Sequence, residues 1–232
     1  MEGKADYLKM IKSNPKVEGL IIATKENLDF RGFNAHGFTH ANFVANETKR
    51  LLLELGYTAK AAELAAIAGY MHDIGCSINR EKHAAIGAAL AFQILSETGM
   101  PVKDVIRIVS TIGNHDENAD GLPINEYCAA LIIVDKCDIH RSRIYMDEAR
   151  KDNPHYKVNF ATEKREIVID TKKRVITLAL TMNSKASLFE MMEIYSGRFQ
   201  LCQTSAKMLK CEFKLLVNGI DIMSVTGCRR AE

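Results

Sequence analysis

The sequence predicts a mainly α-helical protein that ends in a small α+β module. Two observations support this fold class. Apolar residues recur at helical spacing, three or four positions apart, through most of residues 18–137. After Arg150 the pattern changes to two stretches typical of β-strands and one long helical stripe. We therefore expect a helical domain over residues 1–150 and an accessory α+β module over residues 151–232.

The predicted helices of the first part follow one another with short connections. Gly56 ends the second of them, Thr58 is a suitable cap for the third, and Gly99 closes the fourth. Helices are predicted over residues 18–29, 39–55, 61–71, 84–98, 102–112 and 124–137. These lengths and connections are typical of a helical bundle.

Two β-hairpins are predicted in the C-terminal part. Residues 151–154 indicate a turn or linker, after which residues 164–170 and 174–180 predict two strands across a charged turn. Asn218-Gly219 between apolar arms is the strongest short-range hairpin signal in the chain, and it predicts a second hairpin over residues 214–223.

One long helix is predicted between the two hairpins. Ser184 or Ser187 would cap it, and we expect it to run to about Cys211. Its regular apolar stripe over residues 188–213 would pack either on the hairpin of residues 164–180 or on a second copy of the chain. Packing within the chain is favoured, and a homodimer stays possible.

The composition limits the partners and the compartment. The net charge is +2 and the basic residues are scattered, so neither a nucleic-acid partner nor a membrane surface is expected. The sequence contains no apolar run of about 18 residues, so no membrane span is predicted. The N-terminus lacks the pattern of a secretory signal. The six cysteines show no C-x-x-C spacing, which favours free core thiols in the cytoplasm.

Histidines and aspartates concentrate in the helical part. The candidates for metal binding or catalysis among them are His36, His40, His72, Asp73, His83, His115, Asp116 and Asp135. Imidazole and carboxylate groups hold catalytic divalent metals. A carboxylate among Ile and Val, as at Asp135, needs a partner when it is buried. A metal ion would satisfy both kinds of group, so the sequence predicts a metal site without thiolate ligands.

The His72-Asp73 pair sets a geometric condition on its helix. Neighbouring residues of a regular helix point about 100° apart. Both side chains can reach one ion only where the helix ends, and Gly75 supplies a suitable end.

The order His40, His72-Asp73, Asp135 on separate helices resembles the H…HD…D signature of the HD-domain superfamily of metal-dependent phosphohydrolases. The resemblance covers residues 30–145 and implies an HD-domain helical bundle in which these four residues bind metal. The alternative is a set of core polar groups that satisfy one another.

His83 and His115 resemble the additional histidines of binuclear members of the superfamily. In those members they bind a second metal ion, and the motif aspartate, here Asp73, bridges the two ions. The resemblance therefore implies one or two divalent ions per chain, Fe, Mn, Mg or Zn. Alternatively, both histidines are polar residues that line the cleft.

The sequence that follows His115 departs from the motif of one branch of the superfamily. Members that cleave cyclic di-GMP follow their paired histidines with Asp-Gly and Gly-Tyr-Pro, whereas this chain has His115-Asp116 and then Asp-Gly-Leu-Pro at residues 120–123. The missing Gly-Tyr-Pro counts against that substrate. The layout is also similar to bacterial dinucleotide polyphosphate hydrolases of the superfamily, which use a comparable six-ligand set.

Two further residues are candidate catalytic groups. Residues 36–44 resemble the His-Asn-x-x-His-Ala-x-x-Val segment of mammalian cyclic nucleotide phosphodiesterases, which implies that His36 protonates the leaving oxygen. A capping or packing role for His36 is equally open. Lys136 follows Asp135 and would neutralise a phosphate under attack, unless it is an ordinary surface charge.

We expect an enzyme that hydrolyses a phosphoester or phosphoanhydride bond of a nucleotide-like small molecule with metal-activated water. His36, Asp73 and Lys136 are its predicted catalytic residues. One alternative is a non-catalytic sensor that binds a nucleotide or metal and signals through residues 151–232. A less favoured one is a di-iron oxygenase on the same scaffold.

Overall fold

The computed structural model describes residues 6–117, 121–144 and 153–225. The helices of the first part are α1 (Tyr7–Lys12), α2 (Pro15–Phe30), α3 (Phe38–Glu54), α4 (Ala59–Met71), α5 (His83–Ser96), α6 (Val102–Gly113) and α7 (Glu126–Lys136). Short 3₁₀ turns span Ile74–Ser77 and Arg141–Arg143. The rest comprises α8 (Pro154–Ala161), β1 (Thr162–Asp170), β2 (Val175–Met182), α9 (Leu188–Met208), β3 (Glu212–Val217), β4 (Ile220–Asp221) and α10 (Ile222–Val225).

Helix α4 is the centre of the bundle. Its residues from Leu64 to Met71 are all buried, and it packs against α3, α6 and α7. Alanine side chains let these neighbours approach closely. At Gly69 the α3 residues Val44 and Ala45 lie where a side chain would otherwise begin. From Leu64 onward the helix has no charged residue, as a helix enclosed by its neighbours requires.

The predicted ends of the helices are confirmed. Gly56 follows α3 with φ +88°, a conformation that glycine adopts without strain. Thr58 caps α4 by accepting a hydrogen bond from the Ala61 backbone N–H. Helices α1 and α8 were not expected, since both are short and lack a clear apolar period. Pro154, which the sequence placed in a turn or linker, is the first residue of α8; residues 151–152 lie outside the described part.

The strands form one four-stranded sheet in the order β1-β2-β3-β4. Both predicted hairpins are present, because β1 pairs antiparallel with β2 and β3 pairs antiparallel with β4. Asn218 and Gly219 have φ values of 49° and 83°, as a tight two-residue hairpin turn requires. The parallel pairing of β2 with β3 was not predicted, and helix α9 is the crossover that it needs.

Helix α9 joins the C-terminal part to the bundle. Ser187, one of the two predicted caps, forms a capping box with Glu190, and the helix ends at Met208 rather than near Cys211. Its buried residues pack chiefly against α7 and β3. The expectation that α9 packs mainly on the hairpin of residues 164–180 is therefore wrong, because its main partner is α7. Packing within the chain is confirmed.

The domain division predicted near residue 150 falls among residues that the structure does not describe, and it stays a prediction. Five cysteines, Cys76, Cys128, Cys137, Cys202 and Cys211, are buried free thiols as expected, and Cys228 lies outside the described residues. Among the described residues, no helix combines the length and the apolar character that a membrane span needs.

Candidate metal centre and cleft

Five helices bring the predicted metal ligands together. His40 lies in the first turn of α3, His72 and Asp73 follow α4, and Asp135 lies in the last turn of α7. His83 begins α5, and His115 follows α6. All four histidines are buried, with at most 2% of each residue exposed.

The chain turns sharply after His72, as the sequence requires. Helix α4 ends at Met71 and a 3₁₀ turn follows from Ile74. Gly75 fits this turn against the start of α5, where a Cβ would overlap the His83 carbonyl oxygen and the Gly87 nitrogen. The close approach places His83 beside Asp73, with 3.5 Å between His83 Nε2 and Asp73 Oδ1.

A first group of ligand atoms comprises His40 Nε2, His72 Nε2, Asp73 Oδ2 and Asp135 Oδ1. The two imidazole nitrogens are 3.2 Å apart. Each of them lies 3.2–3.5 Å from the two carboxylate oxygens. Ligand atoms about 2.1 Å from one ion lie roughly 3.0–3.4 Å apart in octahedral to tetrahedral coordination. The spacing of this group therefore fits a single divalent ion.

A second group comprises His83 Nε2, His115 Nε2 and Asp73 Oδ1. Burial lowers the pKa of both His83 and His115, which keeps both rings neutral. Their Nδ1 atoms donate to the backbone carbonyls of Arg80 and Ile112. The two Nε2 atoms thus face each other with lone pairs at 3.2 Å. A cation between them would turn this repulsion into coordination.

Asp73 belongs to both groups through its two oxygens. Its Oδ2 is buried and accepts no hydrogen bond from the described residues. Burial alone would raise the pKa of this carboxyl, but His72 and His40 hold it well below its usual range. Asp73 is therefore a charged carboxylate with an unsatisfied oxygen, and it could bridge two ions.

The ligand histidines are oriented by hydrogen bonds at Nδ1, which point Nε2 inward. His72 donates to the Gly69 carbonyl at 2.8 Å, and His40 donates to Asp138 at 2.6 Å. Asp138 also forms ion pairs with Arg143 and with Arg165 of strand β1. A carboxylate behind a metal-binding histidine is common in metalloproteins because it fixes the ring and raises its basicity. Burial opposes protonation of His72, yet the Asp73 and Asp135 carboxylates raise its pKa to about 10.

Lys136 is buried and faces the site, so the alternative of an ordinary surface charge is wrong. Its Nζ lies 2.9 Å from Asp135 Oδ2 and 2.7 Å from Glu117 Oε2. Glu117 in turn accepts a hydrogen bond from Arg198 of α9, with 3.0 Å between Arg198 Nε and Glu117 Oε1. Burial would lower the pKa of Lys136, but Asp135 and Glu117 raise it, so the ammonium group is charged.

His36 lies beside the metal ligands without sharing their helix. Helix α3 begins at Phe38, so the four-residue offset does not place His36 and His40 on one helical face. The His36 ring nevertheless points inward, with Nε2 3.9 Å from Asp73 Oδ2, while Nδ1 contacts the Asn34 carbonyl at 2.5 Å. Burial and Arg143 lower its pKa well below the usual range.

The ligand groups lie at the inner end of a cleft. The inner recess is lined by His36, Asp73, Arg80, His83, His115, Asp116, Asp135, Lys136 and Arg198. Three of these residues, Arg80, Asp116 and Arg198, also line an outer cavity of about 750 Å³. Pockets for small ligands have volumes of about 300–1,000 Å³.

The C-terminal part supplies one wall of the outer cavity. Ile194, Gly197 and Arg198 come from α9, and His155 comes from α8. The His155 ring lies 3.5 Å from the Tyr195 hydroxyl at the cavity. His140 lies away from the ligand groups and contacts Ser142 and the Glu163 carbonyl.

Four residues of the site were not assigned from the sequence: Arg80, Glu117, Asp138 and Arg198. Asp138 follows Asp135 at a spacing of three and was visible, but nothing in the sequence connects it with His40. Arg80 and Arg198 are common residue types in unremarkable contexts.

The interior of the helical bundle thus joins four histidines and two aspartates at a spacing that could hold divalent metal ions. The HD domain family matches residues 37–140, which contain all six predicted ligands. The resemblance found in the sequence is confirmed, and this part of the chain is an HD domain. The family binds divalent metals, and the His and Asp groups described here could hold them.

The chain also resembles an uncharacterized protein of the archaeon Methanocaldococcus jannaschii. The two are 23% identical over 190 residues, and the match covers 73% of each chain. It thus extends well beyond the length of the HD domain.

Proposed function

We propose that this protein is a binuclear metal-dependent phosphohydrolase that cleaves a phosphoester or phosphoanhydride bond of a nucleotide-like small molecule. The observation that carries the proposal is the pair of ligand groups joined through Asp73 at the inner end of a cleft. Two divalent ions held there would lower the pKa of a bound water and neutralise phosphoryl oxygens. Fe, Mn, Mg or Zn would suit these nitrogen and oxygen ligands.

The charge of the site favours an anionic substrate. Among the described residues, the inner recess and the outer cavity are lined by five carboxylates, those of Asp73, Glu81, Asp116, Glu117 and Asp135, against three cationic side chains, those of Arg80, Lys136 and Arg198. Two divalent ions would reverse this balance and leave the site with a net positive charge. A phosphate group would neutralise that charge, which an uncharged substrate would not.

Three residues have proposed roles in the reaction. Asp73 would hold both metal ions, because one of its carboxylate oxygens belongs to each ligand group. Lys136 carries a charged ammonium group beside Asp135, and it would stabilise the negative charge that develops on a phosphoryl oxygen. His36 would give a proton to the leaving oxygen through Nε2, which points into the recess. A bound phosphate would favour the protonated ring that this step needs.

The test measures metal content and turnover together. Protein purified without chelator is analysed for metal, then screened with Mn²⁺ for phosphate release from nucleotides, dinucleotide polyphosphates and cyclic nucleotides. We expect about two ions per chain and turnover of one nucleotide class. Asp73→Asn and His72→Ala should abolish turnover, whereas the matched control His140→Ala, at a histidine away from the ligands, should retain it.

Two results would contradict the proposal. Turnover that persists in Asp73→Asn would show that the ligand groups are not the catalytic centre. Tightly bound metal without turnover of any phosphorylated compound would favour the sensor, and oxygen consumption would favour the oxygenase.

A further inference from the structure

The outer wall of the cleft comes from outside the HD domain. Residues 37–140 match the family, whereas His155, Ile194, Gly197 and Arg198 lie beyond it and Phe33 lies before it. The family match therefore accounts for the ligand groups and not for this wall. Whatever the wall contacts is the part of the substrate farthest from the reacting phosphate.

Arg198 is fixed in position at the border between recess and cavity. Its Nε donates to Glu117 at 3.0 Å, and its guanidinium lies 5.0 Å from the centre of the Tyr195 ring. Among the contacts that the structure describes, its two Nη groups make no hydrogen bond. Arginine recognises phosphate through such a pair of N–H groups, and fixing Nε in advance reduces the entropy lost on binding.

Arg198 is also linked to the catalytic ligands. Glu117 bridges Arg198 and Lys136, and Lys136 contacts Asp135. Arg198 is thus three contacts from a metal ligand, at a position where it would reach a phosphate next to the one under attack.

Gly197 leaves space in front of this arginine. It lies in the middle of α9, where glycine is unfavourable for a helix. A Cβ built at Gly197 meets no heavy atom within 4 Å, and the residue lines the cavity. The cavity beside it is bounded by the apolar side chains of Ile194 and Phe33.

We propose that helix α9 forms the distal substrate subsite, in which Arg198 binds a second, non-transferred phosphate and the surface at Gly197 and Ile194 accepts the body of the substrate. This inference rests on the proposed function and narrows it. The preferred substrates would have at least two linked phosphates, so that a phosphoanhydride is favoured over a simple phosphomonoester.

The first test uses binding of non-hydrolysable probes to the Mn²⁺-loaded protein, measured by isothermal titration calorimetry. Methylenediphosphonate has two phosphonate groups and methylphosphonate has one. Arg198→Gln should weaken binding of methylenediphosphonate about 10- to 100-fold, the usual effect of losing hydrogen bonds to a charged group. Binding of methylphosphonate should change less than about threefold, and Arg198→Lys should restore part of the loss.

The second test uses the open space at Gly197. Gly197→Phe should weaken binding of α,β-methylene-ADP at least tenfold more than binding of methylenediphosphonate, because only the nucleotide has a body to displace. Gly19→Phe is the matched control, since Gly19 lies on an exposed face of helix α2 and also has no heavy atom within 4 Å of a built Cβ. Urea unfolding of each variant verifies that it is folded.

The outcomes separate this inference from the proposed function. Equal weakening of both phosphonates by Arg198→Gln would overturn the subsite, because Arg198 would then act only through Glu117 and Lys136. Unchanged binding of both phosphonates would overturn it as well, while phosphohydrolase activity would still stand. If the loaded wild-type protein binds neither phosphonate, the proposed function is overturned and the subsite with it.

Discussion

Asp138 offers a sharp test of the proposed metal centre, because it contacts the proposed ligand His40 without belonging to either ligand group. Its Oδ2 accepts hydrogen bonds from His40 Nδ1 and from Arg143, each at 2.6 Å. Its Oδ1 forms an ion pair with Arg165. Only 2% of its side chain is exposed. The substitution Asp138→Asn keeps the shape and removes the negative charge.

Two magnitudes follow from these contacts. Loss of the carboxylate behind a ligand histidine costs about 10- to 100-fold in metal affinity, which corresponds to roughly 1.4–2.7 kcal/mol. Arg143 and Arg165 also lose their shared counter-ion. Breaking a buried ion pair costs about 3–5 kcal/mol. We expect roughly 3 kcal/mol here, because asparagine still accepts a hydrogen bond and Arg165 retains its contact with the Phe43 ring.

The assays are Mn²⁺ titration of chelator-treated protein and urea unfolding in the absence of metal. The affinity of one of the two proposed ions should fall, since His40 belongs only to the first ligand group. Asp170→Asn is the control: this exposed carboxylate accepts backbone hydrogen bonds in the turn after β1, which asparagine can also accept. If Asp138→Asn binds both ions as tightly as the wild type, the argument that Asp138 fixes His40 is refuted.

Four further predictions address other parts of the site. Gly75→Ala should lower the free energy of urea unfolding by about 1–3 kcal/mol, because its Cβ would overlap backbone atoms of α5; Gly19→Ala, in open space, should instead stabilise the protein by about 0.5–1 kcal/mol. His115→Ala should reduce bound metal from about two ions to one per chain, as measured by elemental analysis, and two retained ions would exclude His115 as a ligand. His36→Ala should lower kcat about 10²- to 10⁴-fold with unchanged metal content, whereas a packing role predicts kcat within a few fold of the wild type. Chelation of metal present at 100 times its Kd should remove about 2.7 kcal/mol of stability, a fall in Tm of roughly 5–10 °C, and an unchanged Tm would contradict binding to the folded state.

Much of the fold was predictable because its signals are local. Gly56 and Thr58 end one helix and cap the next through their own backbone and side-chain chemistry. Asn218-Gly219 determines a hairpin because few residue pairs adopt two consecutive positive φ values. Ser187 with Glu190 forms a capping box within four residues.

The candidate metal ligands were also predictable from the sequence, for a different reason. Histidine and aspartate are costly to bury unless they are paired, so their presence in apolar helices indicates a shared partner. Gly75, two residues after Asp73, predicted the sharp turn that lets both side chains face one place. Residue type and chain order were sufficient for this part of the site.

The remaining features depend on which segments meet in space. The parallel pairing of β2 with β3 and the packing of α9 against α7 join segments far apart in the chain. Asp138, Glu117 and Arg198 are ordinary charged residues until folding places each beside a partner. The sequence by itself determined most of the helices, both hairpins and the candidate metal-ligand residues, since these depend on local backbone preference and on the cost of burying a polar group. Only the tertiary structure decided which carboxylate supports His40 and which arginine borders the cleft, because such contacts arise between surfaces that no local pattern specifies.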